Sequence, residues 1–309
     1  MKWAPGVARQ LFSGITCLGA ALLICSGAWA QNLFVSGNVP PTNCHGGCGV
    51  VYKLTWDGKQ SIFASGLTDP WDVAFDRAGN LFVVDYDRDE LFGEAAVYKI
   101  TPNGVRTIFA SGVSYPSYLA VDSTGNVFVA DYDDGIIYKY KPTGSRATFA
   151  SGLHHPVGMA FDSAGNLFVV DNSTGNIYQG SIYKYAPNGS RITFAVLDPS
   201  DRPADLAFDS IGNLLMADLG GNIYKYDLVV LRRHPRTTFG SVPNSAQSLA
   251  CDSAGNLFVV DPGNVTSTGS VPNAIYKFTS QGARSMFASG QAGSESFACL
   301  AFQPIPCCE

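Results

Sequence analysis

The phrase FDSAGNLFVVD at residues 161–171 recurs four more times with small changes: FDRAGNLFVVD at 75–85, VDSTGNVFVAD at 121–131, FDSIGNLLMAD at 208–218 and CDSAGNLFVVD at 251–261. A sixth copy is split between the two ends of the chain, NLFVSG at 32–37 and LAFQ at 300–303. Measured at the shared Asn (Asn80, Asn126, Asn166, Asn213, Asn256), the period is 46, 40, 47 and 43 residues. Units of this length that contain several short strands build a propeller, because one unit alone cannot cover its apolar faces and its neighbours must do so.

Each unit holds four short apolar runs separated by turn signals, as in VGMAFD, NLFVVD, SIYKY and ITFA. The second run is apolar at consecutive positions, as expected of a strand buried on both faces. The first carries Ala at one register in every copy (Ala74, Ala120, Ala160, Ala207, Ala250, Ala301), where innermost strands converge and only a small side chain fits. The fourth carries Phe in every copy (Phe63, Phe109, Phe149, Phe194, Phe239, Phe287), where outer strands diverge and a ring fills the wedge between blades. The Asp of D-x-x-G-N (Asp76, Asp122, Asp162, Asp209, Asp252) can accept hydrogen bonds from turn N–H groups, and its Gly can take a positive φ. The repeated phrase is therefore hairpin chemistry, needed once per blade.

The phase of the repeats at the two ends determines the closure. The chain enters the repeat on a second strand and leaves it on a first strand, so the ends must complete one blade together. The expected architecture is all-β: a six-bladed propeller of four-stranded antiparallel blades, with residues 300–302 pairing beside residues 33–36. Such a clasp removes the free edges of the array.

Residues 1–30 read as a signal peptide: Lys2 and Arg9, an apolar run from about residue 11 to 24, and Ala28-Trp29-Ala30 before a cleavage ahead of Gln31. Residues 31–309 then form a single propeller domain, secreted or periplasmic, with no membrane span and expected to act as a monomer. Loss of the leader takes Lys plus Arg from 20 to 18 against 25 Asp plus Glu, a net of −7. Eleven of those basic residues belong to the repeat, as Lys in third strands and Arg before fourth strands, and are spread around the ring. Nucleic acid is accordingly not an expected partner. The one basic cluster, LRRHPR at 231–236, reads as a solvated hairpin tip. Export makes disulfides available. The six remaining Cys allow 15 connectivities, and the ring closure makes Cys44, Cys48, Cys307 and Cys308 the candidates for a bridge.

The consensus P-x-x-[VLM]-A-[FV]-D-x-x-G-N-[LV]-F-V-x-D, followed by I-Y-K-[YF] and F-A-S-G, resembles the NHL-repeat propellers over nearly all of residues 31–303. The resemblance implies a six-bladed propeller of the kind found in secreted bacterial proteins and in extracellular sensor domains. The wider superfamily includes senescence marker protein/gluconolactonase enzymes and streptogramin lyases, and here the chain departs. Where gluconolactonase-type enzymes carry a metal-binding Glu near the first inner strand, the inner strands here carry Asp72, Tyr118, Gly158, Asp205, Ser248 and Cys299. The His and Glu cluster of the lyases is missing, the last two blades holding only His234 and Glu295.

In a repeat protein, what varies on one face is the candidate for function. From the end of the second strand to the Tyr of the third, the spacing is 16, 13, 7, 12, 6 and 15 residues around the ring, while turns on the other face stay short. The long-loop face is therefore the expected binding surface. Around its mouth fall the second-strand carboxylates Asp85, Asp131, Asp171, Asp218 and Asp261, and the inner-strand residues Asp72, Tyr118, Asp205 and Ser248. His154 and His155 lie in the loop before Pro156, with at most one facing the mouth. No cofactor is firmly implied; the recurring carboxylates could hold a hard cation such as Ca²⁺, which takes six to eight oxygen ligands. The expected function is a binding module for a protein, peptide or glycan; a metal-dependent hydrolase or lactonase of the gluconolactonase-like type is the alternative.

Overall fold

The computed structural model describes residues 31–38, 49–86, 95–172, 180–228, 236–266, 269–290 and 296–304. Six antiparallel four-stranded sheets follow one another around a ring. Blade 2 is Pro70–Phe75, Leu81–Asp85, Ala96–Ile100 and Arg106–Ser111, and blades 3, 4, 5 and 6 repeat it with innermost strands Pro116–Val121, Pro156–Phe161, Pro203–Phe208 and Ser248–Cys251. Blade 1 is built from both ends of the chain. Ser296–Phe302 pairs with Leu33–Asn38 in the register Leu33↔Phe302, Phe34↔Ala301 and Val35↔Leu300. The closure expected from the repeat phase is the one observed. No helix among the described residues is long and apolar enough to cross a membrane.

The second strands of blades 2 to 6 are buried at every position, as their unbroken apolar sequence requires. In blades 1, 3, 4 and 6 the second-strand Phe ring is gripped from two sides. Phe168 meets Phe194 of its own fourth strand and Phe208 of the next blade, both edge-on at 5.1 Å. Phe34, Phe128 and Phe258 repeat the arrangement at 4.9–5.0 Å. The fourth-strand Phe thus fills the wedge by packing on a specific ring, and each fully buried Phe contributes roughly 2–3 kcal/mol.

The repeated charges are consumed by the same seams. Lys139, Lys184 and Lys277 lie 5.0–5.5 Å above the second-strand Phe rings. Arg106 stacks on Tyr98 and donates from Nη1 to the carbonyls of Ser65 and Gly66 in the preceding blade; Arg146 and Arg284 bridge to Gly112 and Ser241 in the same way. Arg236, from the basic cluster, differs by pairing with Asp198 and Asp201, while residues 231–235 lie outside the described residues.

In the D-x-x-G-N turns, Asp162 Oδ1 accepts from Asn166 N and Oδ2 from Asn166 Nδ2, and the turn glycine Gly165 has φ +79°. One element was not foreseen: a small hairpin, Asn264–Thr266 with Gly269–Val271, inside the long connection of blade 6. Cys44, Cys48, Cys307 and Cys308 lie outside the described residues.

Candidate functional site: the axial tier and the long-loop rim

Two residues before the repeated Ala, each innermost strand places one residue on the axis: Asp72, Tyr118, Gly158, Asp205, Ser248 and Cys299. In blades 2, 4 and 5 the pairing register slips at or just before this position. Such a bulge re-aims a side chain. Here it lets one blade reach the next. Leu119 N donates to Asp72 Oδ2 at 2.7 Å, and Leu249 N and Ser248 Oγ donate to Asp205 Oδ2, each at 2.9 Å. Leu300 N donates to Ser248 Oγ at 3.2 Å, and Cys299 N to Ser36 Oγ at 3.0 Å. Each Asp also accepts the N–H of the residue that follows it.

The sequence placed these residues at a solvent-accessible mouth, but they lie deeper. Asp72 and Asp205 are 8% exposed, Tyr118 6% and Ser248 1%. Burial raises both acids, Asp72 to about 8 with the charge of Asp205 as the second cause, and Asp205 to about 7. Burial likewise pushes the Tyr118 phenol and the Cys299 thiol well up. A buried carboxyl without a cation beside it holds its proton.

This has a consequence for stability. Between the ordinary Asp value of 3.8 and about pH 7–8, the folded chain binds protons that the unfolded chain has released. The contribution is complete below pH 3.8 and is lost as pH rises through the folded values. Stability should therefore fall from pH 5 to pH 8. The Asp72→Asn/Asp205→Asn variant should lose several kcal/mol less over that interval, at about 1.4 kcal/mol per proton per pH unit, whatever its absolute stability. Urea denaturation at several pH values measures both slopes, and parallel curves would contradict the assignment.

Beneath the tier runs a cavity of about 380 Å³. Asp72 and Asp205 stand at its inner end, Ala74, Ala120, Ala160 and Ala301 line its shaft, and Asp76, Arg77 and Asp122 stand at its outer end. Those outer residues belong to the D-x-x-G-N hairpins. The cavity thus leads to the face opposite the long loops.

On the long-loop face, the five second-strand carboxylates are buried and occupied by loop amides. Asp85 accepts from the N–H groups of Thr68 and Asp69, Asp131 from Ser114 and Asp134, Asp171 from His154 and His155, Asp218 from Arg202 and Gly220, and Asp261 from Asn244 and Gly263. Each clasps the loop entering its own blade to the end of the second strand. Among the described residues no three His, Cys, Asp or Glu side chains are grouped so as to hold a metal ion.

The two histidines separate, as adjacent loop residues do. His154 is half-exposed, with Nδ1 at 3.4 Å from Asp171 Oδ2. The His155 ring lies against Tyr132 at 4.5 Å, Tyr132 against Tyr115 at 5.6 Å, and Tyr115 against Tyr86 at 4.4 Å. These four partly exposed rings form an arc over blades 2 to 4. Sequence reading missed Tyr86, Tyr115 and Tyr132. The available signal was positional: one residue follows the second-strand Asp and the other precedes the Pro of the innermost strand. A backbone hydrogen bond joins these positions in Tyr132–Tyr115 and Asn172–His155, so they alternate around the rim.

Six four-stranded blades, a closing blade shared by both termini and a polar axial tier define the protein as a six-bladed β-propeller. The chain is similar in fold to the periplasmic gluconolactonase of Pseudomonas aeruginosa, at TM-score 0.62 and 18% identity, over 89% of this chain and 99% of that one. It is also similar to a gluconolactonase from Xanthomonas campestris (TM-score 0.60, 16% identity, 85% and 87% covered) and to virginiamycin B lyase from Staphylococcus aureus (0.53, 13%, 76% and 84%). No protein-family model matches the chain, and no curated protein matches it in sequence. At these identities the likeness establishes the fold alone.

Proposed function

We propose that this is an exported, NHL-like propeller that binds a protein, peptide or glycan ligand on its long-loop face. The observation that carries the reading is the arc of Tyr86, Tyr115, Tyr132 and His155. Partly exposed aromatic rings offer large contact area at low entropic cost. The backbone bonds and rim carboxylates hold the arc on rigid strand ends. The N-terminal leader and the resemblance of the repeats support placement outside the cytoplasm.

The test starts from peptide and glycan arrays probed with the mature protein, followed by titration of the best hit. Tyr115→Ala/Tyr132→Ala should weaken binding ~30-fold, about 2 kcal/mol, since central aromatic contacts dominate such interfaces. Asn103→Ser/Asn188→Ser, in turns of the opposite face, should leave it unchanged. Weakening by the second pair and not the first would place the ligand on the wrong side.

A second reading, lactone hydrolysis, is supported by the fold shared with proteins described as gluconolactonases and by the paired acids of the axial tier. The tier does not fit a divalent metal: Asp72 and Asp205 each already accept backbone N–H groups on both oxygens, and among the described residues they and Cys299 are not grouped so as to hold a metal ion. Hydrolysis of gluconolactone that survives Asp205→Asn and Asp72→Asn would remove these residues from that reading.

A further inference from the structure

The cavity on the hairpin face is not used by the proposed rim site, and its two ends differ in chemistry. Its inner end presents two carboxyl groups from blades 2 and 5, which stand across the ring from each other. Both are nine-tenths buried. Its shaft is lined by the small apolar side chains of the repeated Ala register, with Met159 beside them. About 380 Å³ is within the range of small-molecule sites.

We propose that this cavity is a second binding site, for a small organic cation: a primary alkylammonium whose head group lies between Asp72 and Asp205 and whose alkyl chain runs along the alanine shaft. A carboxylate oxygen can accept two hydrogen bonds; Asp205 Oδ2 already takes two, from Leu249 N and Ser248 Oγ, so an ammonium with its three donors would meet Asp205 Oδ1 and the Asp72 oxygens, each of which accepts one backbone N–H. Burial raises both acids, and a positive charge placed between them would favour their ionised forms. An anion would meet two acids. Among the described residues no three His, Cys, Asp or Glu side chains are grouped so as to hold a divalent ion. The polar groups around the two acids are the Tyr118 phenol, the Cys299 thiol and the Ser248 hydroxyl that donates to Asp205, and none is basic. At the mouth stand Asp76, Arg77 and Asp122, with Lys139 at 3.9 Å from Asp122. From Asp72 to Phe75 the strand rises about 10 Å, long enough to accompany a six-carbon chain.

The proposal predicts proton release. At pH 7 an alkylamine is already charged, and its arrival ionises carboxyls that were neutral, so binding should expel about one proton and tighten as pH rises from 6 to 8.5, by up to tenfold per unit. The experiment is calorimetric titration of the full mature protein with n-hexylamine and with 1-hexanol, in buffers of different ionisation enthalpy. Hexylamine should bind at least tenfold more tightly than hexanol, with proton release, and Asp205→Asn should remove most of that preference. Equal affinity for amine and alcohol, absence of binding, or amine binding without proton release would each overturn the proposal. The proton measurement uses the wild-type chain, so the test stands even where Asp205→Asn does not fold.

Discussion

Replacing Gly158 by alanine is expected to lower the melting temperature by roughly 10 °C or to prevent folding. Gly158 has φ +58°, and a Cβ built there would lie 2.7 Å from Asp205 Cα, 3.0 Å from Asp205 C and 3.0 Å from Leu206 N. The left-handed conformation costs an L-residue about 1–2 kcal/mol. The clash is with the backbone of the neighbouring innermost strand, which cannot swing aside as a flexible side chain would, and overpacking adds about 1–3 kcal/mol or more. At about 2–4 °C per kcal/mol for a chain of this size, the sum gives the stated loss. Gly104→Ala is the matched control: its φ is +84°, but nothing lies within 4 Å of the added Cβ. It should lose only the conformational part. Equal melting temperatures for the two variants would show that blades 4 and 5 are not in contact at the axis as described.

Removing residues 296–309 is expected to abolish the cooperative fold. The missing strand supplies Phe297, Leu300 and Ala301, all buried, and leaves Leu33–Asn38 as an exposed apolar edge. Burial of Phe297 and Leu300 contributes roughly 2–3 kcal/mol each. The seam to blade 6 loses Phe302 on Phe258 and the Leu300–Ser248 bond, and blade 1 itself loses the Cys299–Ser36 bond. A total above ~5 kcal/mol is comparable with the whole stability of a typical domain, and a bare edge invites pairing between chains. Sedimentation and limited proteolysis should show aggregated, readily cleaved protein, and a synthetic 296–304 peptide should restore part of the protection. A truncated chain that melts at the full-length temperature would rule out the shared blade as the closing element.

What the sequence determined by itself was everything set by local chemistry repeated at a fixed period. The Asp and Gly of D-x-x-G-N, the unbroken LFVV runs and the Ala and Phe registers each act within one hairpin or one seam. Five full copies and one split copy made their common meaning unambiguous, and the phase at the chain ends determined the closure. What only the tertiary structure decided depends on residues brought together from different blades. Asp72 and Asp205 stand 133 positions apart in the chain, so neither their shared burial nor the upward push it gives both carboxyls is visible along it. The direction of the cavity follows from how six innermost strands converge, with Gly158 admitting the backbone of its neighbour where the other tiers carry side chains. The aromatic arc depends on the position after one blade's second strand meeting the position before the next blade's first strand. That contact is made by neighbouring blades packing side by side, and the sequence marks the two positions without showing that their rings touch.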